Sequence, residues 1–175
     1  MKATGIVRRI DDSGNIIIPS ELRRKYRIKE GDPVEIFVDD DCQIVFQKYS
    51  PIEKDVYFAA SCVMKANKNS KAKMIVIDTD KIVVGGENLT NKKISDVYDE
   101  FFARKSFYCH SDKKMLIHYG ASSYVKYAMP IIANDYVIGA VVCITDEENA
   151  ITGENSDEAM LTKLTASLLS KHYGN

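Results

Sequence analysis

The chain has no run of about 18 consecutive apolar residues, the length a helix needs to cross a bilayer. Its start also lacks the apolar core of a signal peptide, because Lys2, Arg8 and Arg9 stand close to the acidic pair Asp11 and Asp12. These absences lead to the expectation of a cytoplasmic protein with no membrane partner. The four cysteines, Cys42, Cys62, Cys109 and Cys143, are far apart and form no C-x-x-C pair. Cys62 and Cys143 have apolar neighbours and read as buried reduced thiols. His110, His118 and His172 show no ligand spacing with one another or with the cysteines, so no metal and no cofactor are expected. The first fifty residues contain no catalytic constellation. The chain also lacks a strong net charge, at −1 over 175 residues. Nucleic-acid binding would therefore have to come from a patch.

Such a patch is present. Residues 1–50 hold nine Lys/Arg and nine Asp/Glu, but the basic residues bunch at 23–29 and the acids at 39–41. Residues 4–10 read as a strand, with Ile6, Arg8 and Ile10 on one face and Val7 and Arg9 on the other. Asp12-Ser13-Gly14 is a turn signal. Ile16, Ile17 and Ile18 are β-branched and favour a second strand, which Pro19 ends. Ser20 can cap a short helix with Glu21 in its first turn. On that helix Leu22 and Tyr26 share an inner face, while Arg23, Arg24 and Arg27 fall on the exposed side. Gly31-Asp32-Pro33 makes another turn. Val34, Ile36 and Val38 alternate in a third strand, Asp39-Asp40-Asp41 turns the chain, and residues 42–48 form a fourth. The three consecutive aspartates lack the spacing of a Ca²⁺ loop and read as a polar hairpin turn. A unit of about fifty residues buries little apolar surface and leaves strand edges open. Interleaving two chains would close the edges and double the arginine patch across a two-fold axis, which suits two half-sites on duplex DNA.

Ser50-Pro51 marks a boundary. Beyond it, Ile52, Val56, Ala59/Ala60 and Val63 show helical periodicity over residues 52–66. Residues 67–71 read as a polar loop. A hairpin is expected from residues 74–77 and 82–84, and a helix capped by Ser95 carries Val97, Tyr98, Phe101 and Phe102. Residues 116–119 read as a strand. Residues 127–132 and 137–145 form a hairpin around Asn134-Asp135. A last helix begins near Thr152, with Met160/Leu161, Leu164 and Leu168 on one face and Gly174 past its end. This order implies a sheet with helices packed on one side.

Several segments in the head, TGIVRRID, GNIIIP, ELRR, EGDPVEIFVD and KYSP, resemble the AbrB-type swapped-hairpin domain of bacterial transition-state regulators. The resemblance implies an interleaved homodimeric β-barrel that binds double-stranded DNA. The family's DNA-contacting arginines map onto Arg8, Arg23 and Arg24, with Arg9 also basic. Lys25 and Arg27 would extend the electrostatic footprint. Members commonly carry Arg in the turn before the isoleucine run, where this chain has Asn15. That removes one positive charge per subunit, although Asn still hydrogen-bonds bases and phosphates. The run YAMPIIANDYVIGAVVCIT resembles the closing hairpin of a GAF domain. The expected fold is therefore α+β, with a swapped-hairpin barrel over residues 1–51 joined to a GAF-like α/β domain over 52–175. A head and tail of these two types together resemble forespore transcription regulators of endospore-forming bacteria. That implies control of sporulation genes, association with the nucleoid, and a tetramer in which helices of the GAF-like domains join two dimers.

A ligand for the GAF-like domain is left open. Asn91-Lys92 matches part of a cyclic-nucleotide pattern, but Phe101 and Phe102 lack the trailing Asp-Glu. Cys109-His110 matches the bilin-attaching pair and nothing else. Two other functions compete with this reading. An antitoxin would need a disordered tail, and residues 73–145 are too apolar and periodic for one. A cysteine-based methionine sulfoxide reductase would need an activated thiolate with a resolving partner, and Cys109 has none by spacing.

Overall fold

A computed structural model describes residues 4–40, 42–68, 70, 73–110, 114–147, 150 and 152–174. The chain divides into two compact units, Met1–Tyr49 and Ser50–Asn175.

The first unit contains helix α1 (Ser20–Lys25) and strands β1 (Val34–Val38) and β2 (Ile44–Lys48). The strands pair antiparallel from Val34↔Lys48 to Val38↔Ile44. Lys48 Nζ holds the end of β2, lying 2.8 Å from Asp32 Oδ2 and 2.9 Å from the Arg27 carbonyl oxygen. Two turns in this unit share one construction. The Asp11 N–H donates to the Asn15 carbonyl and the Gly14 N–H to the Asp11 carbonyl; the Asp39 N–H donates to Gln43 and the Cys42 N–H to Asp39 in the same way. In each, the carboxylate also accepts the backbone N–H four residues on, at 2.7 Å for Asn15 and 2.9 Å for Gln43. The residue before the closing position takes positive φ, +82° at Gly14 and +58° at Cys42. Glycine suits that conformation; cysteine does not. Asp41, expected in the second turn, lies outside the described residues.

No described residue of this unit is fully buried. Val7, Ile10, Ile17, Ile36, Val38 and Ile44 are all well exposed. The strands expected over 4–10 and 16–18 form no ladder among the described residues, because one chain supplies no neighbour to pair with them. Pro19, not Ser20, stands at the helix N-cap, and no side chain caps it. Tyr26, expected on an inner face, is 54% exposed. A single turn of helix has no second layer here to cover that ring.

The second unit contains α2 (Pro51–Lys54), α3 (Val56–Lys68), β3 (Lys73–Asp78), β4 (Ile82–Val84), α4 (Val97–Arg104), β5 (Tyr108–Cys109), β6 (Tyr124–Ala133), β7 (Tyr136–Thr145) and α5 (Asp157–Tyr173). Its sheet has the order β4-β3-β7-β6-β5, with every neighbouring pair antiparallel. Asn134 and Asp135 make the β6–β7 turn at φ +48° and +68°, the left-handed pair that short hairpins favour. Strand β5 reaches only to Ala128 of β6, so Pro130, which has no N–H, lies beyond that pairing.

Helices cover both faces of this sheet, which corrects the one-sided arrangement expected. On one face Ile52 of α2, Ala59 and Val63 of α3, and Ala166 and Leu169 of α5 pack with Met74, Val76, Val141 and Cys143. On the other, Tyr98, Phe101 and Phe102 of α4 pack with Ile75, Ile77, Ala140 and Val142. The continuous apolar runs of β3 and β7 are the physical reason, since a strand buried on both sides cannot alternate. Gly139 lets β7 approach β3: a Cβ there would overlap the Ile77 carbonyl oxygen and come within 2.6 Å of Ile52 Cδ1.

The helix expected over 52–66 is two helices. Asp55 leaves helical geometry at φ −125°, and its carboxylate accepts the Phe58 N–H at 3.4 Å, starting α3 afresh. In the loop expected after α3, Asn69 and Lys71 lie outside the described residues. Asp96, not Ser95, precedes α4, and α5 begins later than Thr152, with Ser156 Oγ accepting the Ala159 N–H. Residues 116–119 give only a bridge between Leu116 and Tyr124. The Tyr127 hydroxyl ties α5 to the sheet, bonding the Gly153 backbone and Ser156 Oγ. Met160, Leu164 and Leu168 do share one face of α5, and that face is exposed.

Candidate nucleic-acid interface

Among the cationic side chains of the first unit that are open to solvent are Arg8, Arg9, Arg23, Arg24 and Lys25. The last three occupy consecutive positions on α1, where positive charge also suits the C-terminal end of the helix dipole. Arg23 and Arg24 make no ion pair among the described residues. Arg8 and Arg23 line one open groove of about 610 Å³, with Pro19, Ser20 and Glu21 between them. The sequence separates these two arginines by a turn and a β-branched run, and the fold returns them to a common surface.

Arg27 is placed differently from the expectation. It stands past the Tyr26 cap in the left-handed region at φ +52°, half-buried, and not on the exposed face of α1 with Arg23 and Arg24. Its carbonyl accepts from Lys48 Nζ, so its backbone belongs to the joint between helix and sheet.

Asn15 is exposed at the closing position of its turn. Its side-chain Nδ2 lies 3.3 Å from Asp11 Oδ2. Asp11 Oδ1 accepts the backbone N–H of Ser13 at 3.0 Å and that of Asn15 at 2.7 Å. The backbone N–H of Asn15, together with these other donors, holds the Asp11 carboxyl below its ordinary range. Sequence reasoning singled out Asn15 and missed Asp11. The signal was present as an aspartate four residues before Asn15, with glycine between them.

The second unit offers different chemistry. Burial pushes the Cys143 thiol up to about 11 and also raises Cys62, so neither is a ready thiolate. Cys109 pairs across β5–β6 with Tyr127, which pairs across β6–β7 with Cys143. Two strand spacings of about 4.8 Å separate the two cysteines, too far for a disulfide. Cys143 is therefore no resolving partner for Cys109. Among the described residues no group of three or more His, Cys, Asp or Glu is arranged to hold a metal ion. No helix there is long and apolar enough to cross a membrane. Two buried hydroxyls, Ser95 Oγ and Tyr98 Oη, have no hydrogen-bond partner among the described residues. Sequence patterning gave no sign of either.

Known proteins resemble both units. Residues 7–54 match the family described as "Antidote-toxin recognition MazE, bacterial antitoxin". Residues 56–174 match "Stage V sporulation protein T C-terminal, transcription factor". Stage V sporulation protein T of Bacillus subtilis (strain 168) is 39% identical over 171 residues, covering 93% of this chain and 94% of that protein. The transition state regulatory protein AbrB of the same organism is 53% identical over 51 residues, covering 29% of this chain and 52% of that protein. The solution structure of the N-domain of the transcription factor abrB matches with 53% identity, covering 29% of this chain and 96% of that one, at a TM-score of 0.27. The likeness to the sporulation protein runs through both units, and by it the chain belongs to the stage V sporulation protein T family of transcription factors.

Proposed function

We propose that this protein is a DNA-binding regulator of sporulation genes whose DNA-reading surface is built by two heads together. The observation that carries this is the first unit itself: six exposed cations on about fifty residues, with no described residue of the unit fully buried. Such a unit needs a partner to acquire a core. A second copy of the same segment, interleaved as a swapped-hairpin barrel, would cover the apolar residues of β1 and β2 and give the unpaired segments 4–10 and 16–18 their ladders. Residues 1–51 are then the DNA-binding head and 52–175 a GAF-like domain. Arg8, Arg9, Arg23, Arg24 and Lys25 contact the duplex, Asn15 reaches it from its turn, and Arg27 adds charge from behind. The protein works on the nucleoid, in the forespore.

The GAF-like domain assembles the heads into a tetramer. Support for this comes from α5, whose Met160, Leu164 and Leu168 repeat every fourth residue on an exposed face, and from Tyr57 and Met64 exposed on α3. A ligand-sensing role is supported by the unpartnered hydroxyls of Ser95 and Tyr98 beside an apolar cluster, since buried hydroxyls normally have partners. The antitoxin alternative is not favoured, because the second unit is a folded sheet and not a wrapping tail.

The test is fluorescence anisotropy of the whole protein on duplex promoter DNA across a salt series. Tight binding that falls steeply with salt is expected. Absence of binding at low salt would refute the assignment. Sedimentation of Leu164→Lys with Leu168→Lys should give dimers where the parent gives tetramers; an unchanged mass would remove α5 from the interface.

A further inference from the structure

The Asp11–Asn15 turn holds more information than its charge. An ionised carboxylate accepts hydrogen bonds and cannot donate them. With Asn15 Nδ2 placed 3.3 Å from Asp11 Oδ2, the amide nitrogen must face Asp11 and the amide oxygen must face away. Asp11 itself is fixed, because its Oδ1 accepts two backbone N–H groups of the same turn. One of the two Nδ2 hydrogens is therefore used, which leaves the other and Oδ1 for a ligand on an exposed residue. An oriented acceptor beside a donor is the pattern that pairs with an adenine edge in the major groove, where N6 donates and N7 accepts. Guanine presents O6 and N7, both acceptors, and an outward amide oxygen would oppose O6. A phosphate fits no better, since the Asp11 charge lies beside the amide and repels it.

We propose that Asp11 is a positioning residue which orients the Asn15 amide, so that each head reads an adenine in the major groove at this turn. This rests on the DNA-binding reading above, and it adds a base preference that the arginines do not specify. The arginines anchor the head to the backbone, and the Asp11–Asn15 pair selects the base.

The experiment is selection of full-length protein on a duplex pool with randomised sites, followed by sequencing of the bound fraction. The parent, Asp11→Asn, Asn15→Ala and the double variant are compared. Asp11→Asn keeps an oxygen that can accept both backbone N–H groups, so the turn is retained, but it turns an NH₂ toward Asn15. The Asn15 amide then reverses and presents N–H outward. The parent should enrich adenine about tenfold or more at one position per half-site. Asp11→Asn should lose that enrichment and shift toward guanine or thymine, whose edges accept. Asn15→Ala should lose it with no new preference, and adding Asp11→Asn to Asn15→Ala should change nothing further. The same adenine enrichment in the parent and in either single variant would overturn the proposal, as would a parent with no base preference at that position. Retention of random duplex at low salt separates the two levels: if all four proteins bind DNA with one base profile, only the Asp11 assignment falls, whereas if none binds, the DNA-binding reading falls with it. Asn15→Ala leaves Asp11 and its two backbone bonds in place, so it gives an answer even if Asp11→Asn disturbs folding.

Discussion

Replacing Arg23 and Arg24 together by alanine should change the salt dependence of DNA binding by an amount that follows from the head's geometry. If Arg8, Arg9, Arg23 and Arg24 of two heads each meet one phosphate, a dimer neutralises about eight, and log affinity falls against log salt with a slope of about −7. Raising salt from about 50 to about 200 mM would then weaken binding by about four decades. The double variant keeps about four contacts, so its slope falls to about −3.6 and the same salt step weakens binding by about two decades. The fold should survive, because both side chains are exposed and α1 buries no residue. Loss of favourable helix-dipole interaction costs about 0.3–1 kcal/mol per arginine, partly offset by the high helix propensity of alanine. The assay is anisotropy of parent and variant on one duplex at four salt concentrations, with thermal melting alongside. A variant that melts normally and keeps the parent slope would show that these arginines do not neutralise phosphates.

Three further outcomes concern stability. Gly139→Ala should cost at least about 3 kcal/mol in urea unfolding, because the new methyl meets the Ile77 carbonyl and the Ile52 side chain; a loss below about 1 kcal/mol would mean that β3 and β7 can separate without penalty. Cys42→Gly should stabilise the protein by about 0.5–1 kcal/mol by relieving a left-handed backbone at a non-glycine residue, and no gain in denaturant midpoint would count against strain there. Asp78 is buried and its carboxyl is pushed above the ordinary 3.8, by desolvation first, so its ionised form is disfavoured in the fold. Asp78→Asn should therefore melt higher than the parent at neutral pH; the gap should narrow as pH falls through the raised value and vanish below the unfolded one, whereas a pH-independent gap would exclude this cause.

Much of the fold could be read from the sequence where local and tertiary signals agree. The β6–β7 hairpin combines two apolar runs with an Asn-Asp turn, and β1–β2 combines alternation with an aspartate turn. Elsewhere the two signals part. Ser95 looks like a helix cap, but its hydroxyl is buried without a partner and Asp96 holds the cap position. The periodicity of residues 52–66 runs through Asp55, whose carboxylate starts a new helix. Met160, Leu164 and Leu168 form a stripe like any core stripe, yet the small residues Ala159 and Ala166, with Leu169, are what pack inside. Periodicity identifies a face but does not say whether the chain or a partner covers it. At the interface, charge clustering located Arg23 and Arg24, but Arg27 left the helix because its backbone turns left-handed. The role of Asp11 depends on which amide atom faces a carboxylate, which composition and spacing do not encode.

That no described residue of the first unit is fully buried has a genetic consequence. If a head exists only as the joint product of two polypeptides, a subunit with ruined arginines still supplies half of the shared barrel. Co-expressed with the intact form, it would enter most assemblies and disable partners that are themselves sound. Damage to the reading surface would then behave as dominant in a cell carrying both alleles. Damage that prevents pairing would be recessive, because such a chain would drop out of the pool.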